Sequence, residues 1–262
     1  SIYKILHDIV QKSNKIVEKI NATNWNHRKI ENGENYLQAV KNLQDNGLDT
    51  GRLDELIDKR KDKKQELEII RNKDEEMVVF SLSAKDDDRF NGNLDIQVKY
   101  TVKLNENTIK IEYFARTNED SLCNLTNHTY FNLSGNGKKN ILGHYLKISA
   151  DRYTKLNEYL IPVSVEKVNK IMDFNIEKKI GEDIYAPMLK EHNAFGYDHA
   201  FLFEEKRELF NPAVELVDKE SGRSLSIYTS YPCVVVYTCN YPKGEVVQKN
   251  HNIELHDAVC LE

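Results

Sequence analysis

No stretch of this chain approaches the ~20 consecutive apolar residues of a membrane-spanning helix, so none is expected. Residues 1–20 lack the basic, apolar, small-residue order of a secretion signal. The four cysteines, Cys123, Cys233, Cys239 and Cys260, form no C-x-x-C pair, and each lies in an apolar, strand-like context. Buried free thiols in a reducing cytoplasm are therefore expected. A serine hydrolase would need a G-x-S-x-G elbow, and there is none. Phosphate loops and dinucleotide-binding glycine fingerprints are missing too. Positive charge is not in surplus, because the formal net charge is -5, which speaks against a nucleic-acid partner. The basic run "KRKDKK" (59–64) is interleaved with acids and reads as a solvated helix face.

What is present is a chain of 262 residues, 40% hydrophobic and 30% charged, enough for one large β domain or two smaller ones. Residues 1–20 place Ile2, Ile5, Leu6, Ile9, Val10, Ile16, Val17 and Ile20 near helical spacing, predicting an amphipathic helix. A second helical stretch is expected over 36–70, interrupted at "DNGLDTG" (45–51), with Asp49 or Thr50 capping "RLDELIDKRKDKKQELEII". Its charged part, 41–66, would suit docking to a protein partner.

From residue 77 the texture changes to alternation. In "LDIQVKYTVKL" the residues Ile96, Val98, Tyr100, Val102 and Leu104 repeat with a period of two. "NEN" (105–107) and "KESGR" (219–223) are hairpin signals. Further strands are expected in "MVVFSLSAKD", "TIKIEYFA", "HYLKISAD", "AVELVD", "RSLSIYTS" and "CVVVYTCN". Many short strands without intervening helices predict a mainly β protein, a large antiparallel β-sandwich.

Three clusters concentrate polar chemistry. "NLTNHTYFNLSGNG" (124–137) surrounds His128 with Asn124, Asn127 and Asn132, whose amides must be paired if buried. Its three Asn-x-Ser/Thr triplets matter as glycan acceptors only in a secreted chain. "FGYDHAFLF" (195–203) sets Asp198 and His199 among aromatic residues, a composition suited to a sugar, whose C–H face stacks while its hydroxyls hydrogen-bond. "HDAVCLE" (256–262) ends an apolar strand on Glu262, a carboxylate whose burial would raise its pKa toward that of a useful base. His192 with His199, and His251 with His256, fit no zinc spacing, so no metal is expected.

Together and in order, these clusters resemble the aldose 1-epimerase, or galactose mutarotase, family. "NLTNHTYFNLSG" is similar to the sequence around that family's catalytic His, "GYDHAF" to its substrate-binding motif and "CLE" to the strand carrying its catalytic Glu. "FNGNLDIQVKYTVKLNENTIKIEYFART", "LKISADRYTKLNEYLIPV", "MDF" and "SGRSLSIYTSYPCVVVYTCN" resemble the flanking segments, so the likeness covers about residues 70–262. The resemblance implies a galactose mutarotase-like β-sandwich as a single domain, here with added N-terminal helical segments. It also implies interconversion of the α and β anomers of an aldohexose, with Glu262 as base, His128 as acid, and Asp198, Asn127 and Tyr130 at the substrate. No cofactor is implied. The N-terminal quarter departs from the pattern: "NKI" (14–16) and "NGENYLQAV" (32–40) align as degenerate counterparts of two upstream motifs. That alignment places Lys15 where the family has a substrate-binding Arg, and Gln38 where it has a second His. Lys lacks the planar fork of Arg, and Gln cannot donate a proton as imidazolium does. The family's opening strands, and those after its Glu, have no counterpart, so the chain is expected to be truncated at both ends. The preferred reading is an active mutarotase. The alternative is a catalytically impaired relative serving as a carbohydrate-binding or structural subunit.

Overall fold

The structure is a computed structural model, and it describes residues 63–84, 92–135, 139–191, 195–204, 207–242, 246–248 and 251–262. It contains two compact units, Ser1–Leu125 and Thr126–Glu262. Lys15, Gln38 and the helix expected over 1–20 lie outside the described residues, as does most of the stretch 36–70.

In the first unit, β1 (Lys63–Arg71), β2 (Glu75–Ala84), β3 (Leu94–Lys103) and β4 (Ile109–Thr117) form an antiparallel meander in that order. β1 corrects the helical expectation where the two overlap. The segment pairs along its whole length with β2, setting Leu67 opposite Phe80 and Ile69 opposite Val78. Leu67 and Ile69 alternate with Glu68 and Ile70, and nine paired residues outweigh the helical propensity of Lys, Glu and Leu, which is only a weak local preference. Asn72 closes the hairpin, its side-chain oxygen accepting from the backbone N–H groups of Asp74 and Glu75 at 2.9 and 2.8 Å. The turn expected at 105–107 joins β3 to β4.

The second unit holds two antiparallel sheets. One has the order β11-β10-β5-β8, built from β5 (Tyr145–Ile148), β8 (Lys178–Lys179), β10 (Val214–Asp218) and β11 (Arg223–Ile227). The other has the order β15-β12-β9-β6-β7, from β6 (Ala150–Leu156), β7 (Pro162–Lys167), β9 (Asp198–Phe203), β12 (Cys233–Tyr237) and β15 (Cys260–Leu261). A short pair, β13 (Val246–Gln248) with β14 (His251–Asn252), stands apart in the pairing. "HYLKISAD", expected as one strand, is two: β5 and β6 belong to different sheets and are separated by Ser149 alone.

Ile148, Val214 and Leu216 from the first sheet share one buried cluster with Phe201, Phe203, Val234 and Val236 from the second. The inward residues of both sheets thus make a sandwich core. Phe174 fills it edge-on against Tyr197 and Phe201, with ring centres 5.2 and 5.8 Å away. Among the described residues there is no α-helix, only three short 3-10 turns, and no helix long and apolar enough to cross a membrane. Leu216 is wholly buried in the middle of its sheet. Leu216→Ala is therefore expected to cost about 2–5 kcal/mol of unfolding free energy, measured as a lower urea midpoint.

Candidate active site

The alternation of β9 separates chemistry from core. Asp198, Ala200 and Leu202 point to one face, while His199, Phe201 and Phe203 are buried on the other. His199, neighbour to Asp198 in sequence, is thus a core residue. Burial pushes its pKa down to about 4, and its Nδ1 accepts from the Asp198 backbone N–H at 3.1 Å. The ring is therefore neutral near pH 7.

Cross-strand register then builds a row of side chains on the face of Asp198. Asp198 lies directly opposite Tyr237 on β12, and Tyr237 directly opposite Cys260 on β15. Directly opposed residues share a face, so Asp198, Tyr237 and Cys260 form one line across three strands. Glu262, two residues beyond Cys260, returns to that face by the two-residue period. Its backbone is clamped to β12, with Glu262 N–H donating to the Val235 carbonyl at 3.0 Å and Val235 N–H donating back at 2.8 Å.

His128 reaches the same place from an extended segment held by a single bridge. Phe131 and Val259 exchange backbone hydrogen bonds at 2.8 and 3.0 Å. His128 Nε2 lies 3.1 Å from Glu262 Oε1, the imidazole half-exposed and the carboxylate only 15% exposed. Tyr130 stacks on His128 with ring centres 5.1 Å apart and planes 26° from parallel, and Tyr237 meets the same imidazole edge-on at 6.0 Å. Tyr241 stacks in turn on Tyr237 at 6.4 Å and 21°, and its backbone N–H donates to the Tyr237 hydroxyl at 3.2 Å. The result is two carboxylates and one imidazole walled by three tyrosines.

The electrostatics follow from crowding. Burial raises the Glu262 carboxyl, His128 opposes that rise, and the negative charge of Asp198 adds to it. Asp198 is likewise raised by burial, with His128 opposing. Burial also raises the Tyr237, Tyr241 and Cys260 side chains. A carboxylate whose pKa is raised is a stronger base than an exposed one.

The other polar residues singled out in the sequence are mostly scaffolding. Asn132 Oδ1 accepts from the Ser134 N–H and hydroxyl at 2.9 and 2.6 Å, and its amide nitrogen donates to the carbonyls of Lys139 and Asp257, both at 2.7 Å. The Thr129 hydroxyl donates to the Asn127 side-chain oxygen. Buried His144 accepts the Leu133 N–H on Nε2 at 2.9 Å, while Ser221 and Arg223 donate to the Leu133 carbonyl at 2.8 and 3.1 Å. Behind Asp198, the buried Thr238 hydroxyl accepts the Tyr197 N–H at 3.0 Å, and Asn240 donates to the Tyr197 carbonyl at 2.8 Å. That approach explains Gly196: a Cβ there would stand 2.5 Å from both Asn240 Oδ1 and Thr238 Oγ1.

The structure therefore brings together His128, Tyr130, Asp198 and Glu262 from the sequence-based set, and adds Tyr237, Tyr241 and Cys260. The signal for Tyr237 was available in the alternation of "CVVVY", whose inward residues are Val234 and Val236. It becomes meaningful only once the strand is paired with Asp198.

A sequence model described as "Aldose 1-epimerase" matches residues 59–262. An aldose 1-epimerase of Haemophilus influenzae is 37% identical over 192 residues, 72% of this chain and 55% of the relative. A galactose mutarotase of Mus musculus is 33% identical over 184 residues, 70% of this chain and 52% of the relative. The structure of a galactose 1-epimerase from Lactobacillus acidophilus superposes with a TM-score of 0.64 at 25% identity, covering 75% of this chain and 56% of that one. The chain spans about half the length of the curated relatives it matches. Matched over residues 59–262, the chain belongs to the aldose 1-epimerase family.

Proposed function

We propose that this chain interconverts the α and β anomers of an aldohexose by acid–base ring opening, with Glu262 as base and His128 as acid. The observation that carries the reading is the 3.1 Å separation of His128 Nε2 and Glu262 Oε1 beside Asp198. The anomeric hydroxyl and the ring oxygen hang on the same carbon, so a base for one and an acid for the other must converge within a few ångströms.

Glu262 takes the proton of the anomeric hydroxyl while imidazolium His128 gives its proton to the ring oxygen. The bond from the anomeric carbon to the ring oxygen breaks, and an aldehyde forms. After rotation about the adjacent carbon–carbon bond, the ring hydroxyl attacks the other face of the carbonyl. His128 recovers its proton from that hydroxyl, and Glu262 returns its own to the new anomeric oxygen. The Asp198 carboxylate, raised by burial with His128 nearby, binds a sugar hydroxyl, and Tyr130 and Tyr237 offer faces to the C–H surface. The four cysteines are unpaired, which fits a cytoplasmic protein.

Polarimetry of freshly dissolved α-D-glucose and α-D-galactose tests the reading, with a protein-dependent acceleration expected on at least one sugar. Sugar binding without acceleration would instead favour the carbohydrate-binding alternative. The electrostatics give a second expectation. Glu262 must be ionised to act, so the rate falls as pH drops through its pKa, and Asp198 holds that pKa up. Asp198→Asn should move the acid limb of the pH profile to lower pH. It should also raise KM about tenfold or more, the value of a hydrogen bond to a charged group. An acid limb that stays put would remove Asp198 from the site.

A further inference from the structure

We propose that His128, Cys260 and Glu262 form a binding site for one thiophilic divalent cation of the zinc class, and that its occupancy excludes sugar turnover. One ligand atom from each of the three residues lies within 4.8 Å of the other two. Zinc holds sulfur at about 2.3 Å and nitrogen or oxygen at about 2.0–2.2 Å, so in a tetrahedral site two ligand atoms stand about 3.3–3.6 Å apart. The 3.1 Å between His128 Nε2 and Glu262 Oε1 already suits one edge of a tetrahedron. Seating the ion requires the ligand atoms to close by at most about 1.5 Å.

The placement of Cys260 is a consequence of strand geometry. It shares the face of Glu262 by the two-residue period and lies opposite Tyr237, so its sulfur forms part of the site floor. Imidazole, thiolate and carboxylate together are a borderline-soft set that selects zinc-like ions over magnesium. The charges also balance: a thiolate and a carboxylate neutralise the dication, the imidazole stays neutral, and the thiol proton leaves to solvent on coordination. The half-exposed His128 imidazole gives an ion an approach from solvent. The ion is an inhibitor and not a cofactor, because it occupies the nitrogen and oxygen that the acid–base chemistry requires.

The exclusion of turnover rests on the proposed mutarotase activity, whereas the binding itself does not. Titration with Co2+ in the absence of sugar should give one equivalent of binding and a near-ultraviolet thiolate-to-cobalt charge-transfer band. Cys260→Ser and Cys260→Ala should both abolish that band, and His128→Asn should weaken binding at least about tenfold, or 1.4 kcal/mol. Zn2+ should then arrest mutarotation reversibly toward chelator, and Mg2+ should not. A band that survives in both Cys260 variants, or no band at all, overturns the site. Zinc bound at Cys260 with the polarimetric rate unchanged overturns the exclusion. A cobalt band in a protein with no mutarotation at all would sink the proposed function and leave the site standing.

Discussion

Glu262→Gln is expected to lower kcat/KM for mutarotation by about 10²–10⁴-fold, the range that a positioned general base supplies. The change is nearly isosteric and leaves the backbone clamp between Glu262 and Val235 in place, so the fold should survive. The contact it removes has a half-exposed partner in His128, and the Gln amide keeps hydrogen-bonding capacity at that position. Removing a part-buried carboxylate also relieves the desolvation that raises its pKa. A thermal midpoint close to that of the unmodified protein, together with the rate loss, would assign the effect to chemistry. Full polarimetric rate in the Glu262→Gln variant would remove Glu262 from the mechanism.

His128→Asn should cost a similar factor, about 10²–10⁴, and it carries a signature that a purely structural role would not produce. His128 lowers the Glu262 pKa in the intact site. Without it, only burial and Asp198 act on the carboxyl, and both raise its pKa. The residual activity should therefore show its acid limb displaced to higher pH, opposite in direction to the displacement expected for Asp198→Asn. Added imidazole should restore part of the rate, because the half-exposed position of His128 leaves room for a small donor. Opposite shifts in the two variants would establish three coupled groups in one site. Shifts in the same direction would contradict the arrangement.

The hairpins at 105–107 and 219–223 were readable because turn residues and alternation act locally. The helical expectation for 63–70 failed for the complementary reason. "KKQELEII" prefers helix on its own, and only its pairing with β2 decides otherwise. His128, Asp198 and Glu262 could be nominated one by one from composition, but nothing local places them together. Their grouping came from the family resemblance, and its physical cause is the register of β9, β12 and β15 for Asp198 and Glu262 and the Phe131–Val259 bridge for His128. Tyr237, and the place of Cys260 at the site, are not legible in the sequence because each looks like an ordinary strand residue until the neighbouring strand is known. The dense amides of the His128 motif were visible, while their division into anchors and site was not: Asn132 spends its hydrogen bonds on Ser134, Lys139 and Asp257.

The bridge between Phe131 and Val259, reinforced by Asn132 reaching a carbonyl 125 positions away, also bears on how the protein acquires its competence. Hairpins such as β10–β11 close short loops, whereas this bridge closes one of the longest loops in the unit, at an entropic cost that is higher but grows only logarithmically with loop length. His128 and Glu262, the proposed proton donor and acceptor, are thus strangers in sequence, introduced only when that loop shuts. A chain in which this closure has not formed would lack the proposed pair, so regain of mutarotation during refolding should track the closure of the bridge and not the appearance of β structure.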